Sequence, residues 1–179
     1  MAAGKLSTPS AELVKQLESP EAAIVLKALH ALEKVANVND LPSIIKVMSG
    51  LTEPGLIKEF TLFLSNVHSK DAPAIMAQFL ADPTCSKIRI ELARACWESQ
   101  LDYSPHLMLF TRMFIADDFN LALEAFSVIE NTCLERPVSK QVVKEISTLI
   151  KNSLPDQPDA KQRLTLELIQ VLEPFMTEG

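Results

Sequence analysis

The chain has 179 residues, of which 47% are hydrophobic and only 4 are glycine, and its formal net charge is −6. This length is enough for one domain with a substantial core, whereas so few glycines exclude a glycine-rich loop that could cradle a phosphate. The negative charge argues against a surface that binds nucleic acid or an anionic membrane.

The sequence carries no signal for export or membrane insertion. No apolar run approaches the ~20 residues that are needed to cross a bilayer. The first ten residues, MAAGKLSTPS, lack the apolar core of a signal peptide. The 3 cysteines are an odd number and form no C-x-x-C pair. These features predict a cytoplasmic protein with free thiols.

Prolines recur along the chain with a period of about 32 residues, which is the length of a two-helix repeat. The first set is Pro9, Pro42, Pro73, Pro105 and Pro137. A second set, Pro20, Pro54 and Pro83, follows the first three members by about 11 residues, and Asp117 and Asp118 take this place in the fourth unit. Proline in the first turn and aspartate before it are typical of helix starts. Two helix starts per period predict pairs of helices.

Apolar residues recur with helical spacing between these starts. Leu41, Ile44, Ile45, Met48 and Leu51, for example, lie at positions i, i+3, i+4, i+7 and i+10. The second helices, such as AAIVLKALHALEKVA, are apolar on most sides and must therefore be covered on both flanks. We expect about ten helices in five pairs and no strand. The predicted units, within one α-solenoid domain spanning 1–179, are 8–37, 40–68, 71–99, 104–134 and 138–176.

The third unit resembles a HEAT repeat. The residues that carry the resemblance are Asp82-Pro83, Ile88-Arg89, Ala93 and Ala95, and the second unit has Glu53-Pro54 and Ile57-Lys58 in comparable places. The resemblance implies an all-α, armadillo-like fold, a right-handed α-α superhelix of about five HEAT-like pairs whose second helices line a concave face. It implies no particular chemistry, because such arrays serve many unrelated functions.

The stretch CSKIRIELARACWESQLDYSPH contains two of the cysteines, a histidine, the only Trp and the only Tyr. Cys85 and Cys96 are about three helical turns apart, or ~16 Å, which is too far for a disulfide or a shared metal ion. No histidine pair has metal-binding spacing, so we expect no metal, no cofactor and no catalytic residue. Cys85 follows a helix start that can lower a thiol pKa, so an enzyme with a reactive thiol is one alternative.

Trp97 and Tyr103 flank the loop between the third and fourth units. We interpret Trp97 as closing the core at the end of its helix and Tyr103 as covering the loop. The alternative is that one or both anchor a partner, since Trp and Tyr dominate interface hot spots.

The polar side of the second helices is the predicted partner-binding surface of a non-catalytic scaffold. The candidate residues are Lys58, Glu59, Arg89, Glu91, Arg94 and Glu124. Acidic residues accumulate in the fourth unit, at Asp117, Asp118, Glu124, Glu130 and Glu135. We therefore expect a protein or peptide partner with a basic segment.

Two further alternatives concern other partners. A nucleic-acid-binding protein similar to the HEAT-like DNA glycosylases would need a continuous positive stripe through Lys58, Arg89 and Arg94. The last helix has apolar residues on more than one side, and these are Leu166, Ile169, Val171, Leu172 and Phe175. They predict either a cap tucked inward, which we favour, or a face for self-association.

Overall fold

A computed structural model of the chain describes residues 9–177, and the regular structure in this range is entirely helical. Its ten α-helices are α1 (Pro9–Gln16), α2 (Ala22–Val35), α3 (Leu41–Gly50), α4 (Pro54–Ser65), α5 (Ala72–Ala81), α6 (Arg89–Glu98), α7 (Leu107–Ala116), α8 (Phe119–Glu135), α9 (Lys140–Ser153) and α10 (Asp159–Thr177). Short 3-10 turns cover Val38–Asp40, Pro83–Ile88, Ser104–His106 and Leu154–Asp156. The prediction of an all-α chain is confirmed. Residue 8, the first of the predicted first unit, lies outside the described range.

Half of the eight repeated prolines stand in the first two positions of an α-helix, as their spacing predicts. Pro54 is the first residue of α4, and Pro42 and Pro73 occupy the second positions of α3 and α5. Pro83 and Pro105 instead lie in 3-10 turns that precede α6 and α7. These starts suit proline because the first-turn N–H groups have no partner within the helix.

The fourth unit uses aspartate where the others use a second proline. Asp118 caps α8, because its Oδ1 accepts hydrogen bonds from the backbone N–H groups of Asn120 at 2.9 Å and Leu121 at 3.1 Å. Pro20 is different, since α2 begins two residues later at Ala22. The predicted start of that helix is therefore slightly early.

The ten helices form two layers. The second helices α2, α4, α6, α8 and α10 contact one another in chain order. Four first helices, α1, α5, α7 and α9, each contact the second helix that follows them. This arrangement covers the apolar second helices on both flanks. The bounds of the five units and the handedness of the superhelix remain predictions.

A continuous core runs between the layers from Leu17 to Leu172. Its largest buried side chains include Phe60, Phe110 and Tyr103. The rings of Tyr103 and Phe110 meet edge to face, with centroids 5.7 Å apart and planes at 90°, an arrangement that aromatic pairs prefer.

The last helix packs mainly inward. Leu168 and Leu172 are fully buried and Ile169 is 8% exposed, whereas Leu166 is 48% exposed. This burial favours the cap interpretation of α10 and leaves self-association a prediction. None of the described helices is long and apolar enough to span a bilayer.

Replacing Phe110 with alanine tests the core directly. We expect Phe110→Ala to lower the free energy of unfolding by about 3–5 kcal/mol, because it leaves a cavity beside Tyr103. The matched control is Phe119→Ala, since Phe119 is 43% exposed, and it should cost less than about 1 kcal/mol. Urea denaturation followed by circular dichroism measures both. Equal losses in the two variants would contradict this assignment of the core.

Candidate interaction surface

The contact between α6 and α8 is organised around Glu124, a carboxylate that is only 8% exposed. Its Oε1 accepts hydrogen bonds from Arg94, with Nε at 3.1 Å and Nη2 at 2.5 Å. Its Oε2 accepts a hydrogen bond from the indole N–H of Trp97. The hydrogen bonds between Arg94 and Glu124 raise the pKa of the Arg94 guanidinium. The charge of Glu124 is therefore matched inside the fold.

Arg89 joins three segments at the start of α6. Its two terminal nitrogens donate to the carboxylate oxygens of Asp117 at 2.7 and 2.8 Å. Its Nε donates to the carbonyl oxygen of Leu80 at 3.1 Å, near the end of α5. Both side chains of the ion pair are less than a quarter exposed. This two-bond geometry is the strongest form of an ion pair between arginine and a carboxylate.

Lys161 has a similar role at the next contact between helical pairs. It is 4% exposed, and its Nζ donates to the carbonyl oxygens of Ile115 at 2.9 Å and Asp117 at 2.8 Å. The ammonium also lies 5.9 Å from the ring centroid of Phe114. Burial lowers the pKa of Lys161, and the carboxylates of Asp117 and Asp118 oppose this shift. Lys161 thus satisfies carbonyl groups at the end of α7 that the helix itself leaves free.

Sequence reasoning missed Lys161, although a signal was present. The sequence indicates Lys58 and Arg89 as basic residues near the start of a second helix, and Lys161 has the same kind of position in α10. The fifth unit has a longer linker before its second helix, so the position of Lys161 could not be aligned by spacing with those of Lys58 and Arg89.

The other predicted partner residues lie on the surface or close to it. Lys58 is exposed. A carboxylate oxygen of Glu59 lies 3.8 Å from Nε2 of His30 across the α2–α4 contact, and such exposed pairs add little stability. Glu91 is half-buried, and its Oε2 has no hydrogen-bond partner in the described residues 9–177. A partner-binding role for these residues remains a prediction.

The two aromatic residues that flank the loop between α6 and α7 are both engaged by the fold. Tyr103 is 2% exposed, and Trp97 is half-buried with its N–H bonded to Glu124. The half-buried position of Trp97 fits its interpretation as closing the core, whereas Tyr103 lies within the core and does not merely cover the loop.

The three cysteines are free and buried. Burial raises the pKa of Cys96 to about 12 and that of Cys133 to about 11. Burial also raises the pKa of Cys85, against a smaller lowering by the Thr84 hydroxyl. The raised pKa of Cys85 therefore disfavours the alternative of a reactive thiol at this helix start. Among residues 9–177, no group of three or more His, Cys, Asp or Glu side chains could hold a metal ion.

Exposed large apolar side chains are concentrated on one layer. Seven of the eight in the described chain belong to second helices, namely Ile24, Val35, Leu62, Phe119, Leu123, Leu134 and Leu166. The eighth, Leu149, lies on α9. Sequence reasoning concentrated on polar residues and missed this pattern, although apolar second helices had signalled it.

The comparisons with known proteins support the fold. No protein-family model matches the sequence, and no curated protein matches it either. A solved structure that is similar to it is the archaeal HEAT-like repeats protein from Thermococcus onnurineus NA1, with a TM-score of 0.55 over 92% of this chain and 71% of that chain. The chain has a HEAT-like repeat fold. The two sequences are only 15% identical, so the similarity concerns the fold and carries no activity.

The HEAT-like fold gives the ion pairs a structural role. Arg89 and Arg94 each reach from the third helical pair to a carboxylate of the fourth. Lys161 reaches from the fifth pair back to the fourth. In an array where each repeat contacts only its neighbours, such bonds set the stability of each interface.

Removal of Glu124 tests whether the α6–α8 contact depends on it. We expect Glu124→Ala to lower the free energy of unfolding by about 1–3 kcal/mol, because the half-buried Trp97 N–H loses its acceptor. Glu130→Ala on the same helix is the control, and it should change stability by about 0.5 kcal/mol or less. Urea denaturation of both variants gives the comparison. A loss for Glu130→Ala as large as that for Glu124→Ala would refute the role of Glu124.

Thiol labelling tests the burial of the cysteines. At about pH 8, all three should react with a disulfide reagent at least about a hundredfold more slowly in the native chain than in denaturant, since reaction requires opening of the fold. Absorbance of the released thiolate measures the rates. A single fast thiol, lost in Cys85→Ala, would contradict this expectation and support the reactive-thiol alternative.

Proposed function

We propose that the chain is a non-catalytic scaffold that binds a partner protein along the exposed faces of its second helices. The observation that carries this proposal is the concentration of exposed apolar side chains on that layer. Isolated exposed apolar residues are normal, whereas apolar groups gathered on one surface mark interaction sites.

The packing of the two layers favours the second helices as the concave side. These helices contact one another directly from α2 to α10. In the first layer, α3 contacts α5 and α7 contacts α9, whereas α1 contacts the turn Val38–Asp40 before α3, and α5 contacts the turn Ser104–His106 before α7. An array bends towards its more closely packed layer, so a partner would lie against the second helices.

The charges support a protein partner over nucleic acid. Arg89 and Arg94 are held in ion pairs with Asp117 and Glu124, so they do not supply the positive stripe that phosphate binding requires. The buried thiols, whose pKa values are raised, also disfavour thiol catalysis. A cytoplasmic location belongs to the same proposal, because three unpaired thiols suit a reducing compartment.

Site-specific photo-crosslinking tests the proposed surface. A photoreactive amino acid replaces Leu62 on α4 in one variant and Leu149 on α9 in a matched variant, since both leucines are exposed. In cells that express the chain, we expect protein adducts from position 62 at several times the yield from position 149, because partners would contact the second layer. Gel electrophoresis after nuclease treatment measures the adducts.

Two other crosslinking results would contradict the proposed surface or the proposed class of partner. Equal yields from the two layers would contradict the proposed surface. Adducts that disappear with nuclease, together with retention on heparin at about 0.1 M salt that falls as salt rises, would favour the nucleic-acid alternative.

A further inference from the structure

The clearest region of the apolar surface is one face of α8. Phe119 and Leu123 are each 43% exposed, and Leu134 is 63% exposed. Their positions i, i+4 and i+15 lie on one side of a helix, and the half-buried Phe126 and Glu130 fall on the same side. We call these five residues the α8 stripe. It is about 22 Å long, which matches four turns of a second helix.

The charge of α8 is of one sign. Residues 119–135 contain no Lys or Arg, while Asp118 precedes the helix and Glu130 and Glu135 lie on it. Arg136 follows the helix, and its guanidinium donates to the carbonyl oxygen of Gln100. Glu124 is already paired with Arg94. In the described part of the chain, no ion pair joins Asp118, Glu130 or Glu135 to a basic side chain. Asp118 caps α8 and interacts electrostatically with Lys161. The α8 stripe is therefore an apolar strip bordered by carboxylates, and within residues 9–177 those of Glu130 and Glu135 have no ion-pair partner.

A cavity continues the α8 stripe at its start. Phe119 lines a cavity of about 560 Å³ between the α7–α8 turn and the start of α10. Ile115 and Pro158 give it apolar walls, and Asp118 and Asp156 add carboxylates. Lys161 also lines it, but its ammonium is engaged by two carbonyl oxygens. The cavity thus has room for an apolar side chain, with acceptors for a cation beside it.

We propose that the α8 stripe and its cavity bind an amphipathic helix whose apolar face is flanked by lysine and arginine. This inference rests on the proposed function and names the partner for that surface. An apolar face laid into an apolar groove is a common mode of helix recognition, and basic flanks complement the carboxylates.

The same charges argue against other occupants. A symmetric contact between two copies would use the same patch of each. The set of carboxylates Asp118, Glu130 and Glu135 of one copy would then lie against the same set of the other, and the two sets would repel each other. Nucleic acids and anionic lipids are repelled for the same reason. A basic helical segment is the occupant that both the apolar area and the charge favour.

Peptide selection tests the inference. Random peptides of about sixteen residues, the length of the α8 stripe, are displayed on phage and selected on the full chain. We expect enriched peptides with apolar residues at i, i+3 or i+4 and i+7, flanked by Lys or Arg. An enriched peptide is then synthesised with a fluorescent label, and its Kd is measured by anisotropy.

The variants separate the α8 stripe from the rest of the surface. Leu123→Ser and Leu134→Ser should each raise the peptide Kd about tenfold or more, and Asp156→Lys should raise it through charge repulsion. Leu149→Ser, an equally apolar change on α9, should leave the Kd unchanged. The Kd should also rise when NaCl is increased from about 50 to 300 mM, because exposed charges are screened.

Each contrary result has a distinct meaning. Enriched peptides that are acidic or lack a helical period would overturn the inference. Peptide binding that survives Leu123→Ser and Asp156→Lys but is lost in Leu62→Ser would overturn it as well. That last pattern would leave the proposed function intact. Binding lost only in Leu149→Ser would overturn both. Asp156→Lys changes an exposed turn residue, so it keeps the test decisive even if a leucine variant fails to fold.

Discussion

The turn between α7 and α8 is the junction on which the packing of the last three helical pairs depends. The Asp117 carboxylate holds Arg89 of the third pair, and the Asp117 carbonyl oxygen accepts a bond from Lys161 of the fifth. Removing one partner of such a shielded pair leaves a charge with no compensation, which costs far more than an exposed ion pair contributes. One residue in a short turn therefore bonds to both neighbouring repeats, in an array where each repeat contacts only its direct neighbours.

The pairing of charges between repeats accounts for the apolar and acidic surface of the fourth helical pair. Arg89, Arg94 and Lys161 are engaged by carboxylates or carbonyl groups. These cations are therefore held at the contacts between pairs, and in the described chain none of them forms an ion pair with Glu130 or Glu135. The exposed face of α8 therefore carries apolar side chains and carboxylates. The nearby cations are engaged in contacts between the repeats and are not available to this face.

The helices could be predicted from the sequence because their signals are local. Pro54 at the start of α4 and Asp118 at the cap of α8 act within one turn of the chain, and apolar spacing depends on immediate neighbours. The bonds between repeats could not be predicted in the same way. Arg94 and Glu124 are 30 residues apart, and their pairing depends on how two helices superpose. The sequence indicates both as unusual polar residues, but whether they face a partner or another repeat is decided by packing. Cys85 shows the same limit, since burial outweighs the lowering of its thiol pKa by the neighbouring Thr84 hydroxyl.

The internal bonds also bear on how the α8 stripe could bind. Glu124 fixes α8 to α6, and Asn131 of α8 adds a bond from Nδ2 to the carbonyl oxygen of Trp97 at 3.3 Å. On its other side α8 contacts α10. A helix held on both sides presents Phe119, Leu123 and Leu134 in a set arrangement, so little conformational entropy is lost from the scaffold when a partner docks. Exposed leucine and phenylalanine contribute little to folding and favour aggregation. Their placement on a second helix that is held on both sides is what the proposed recognition of a partner requires.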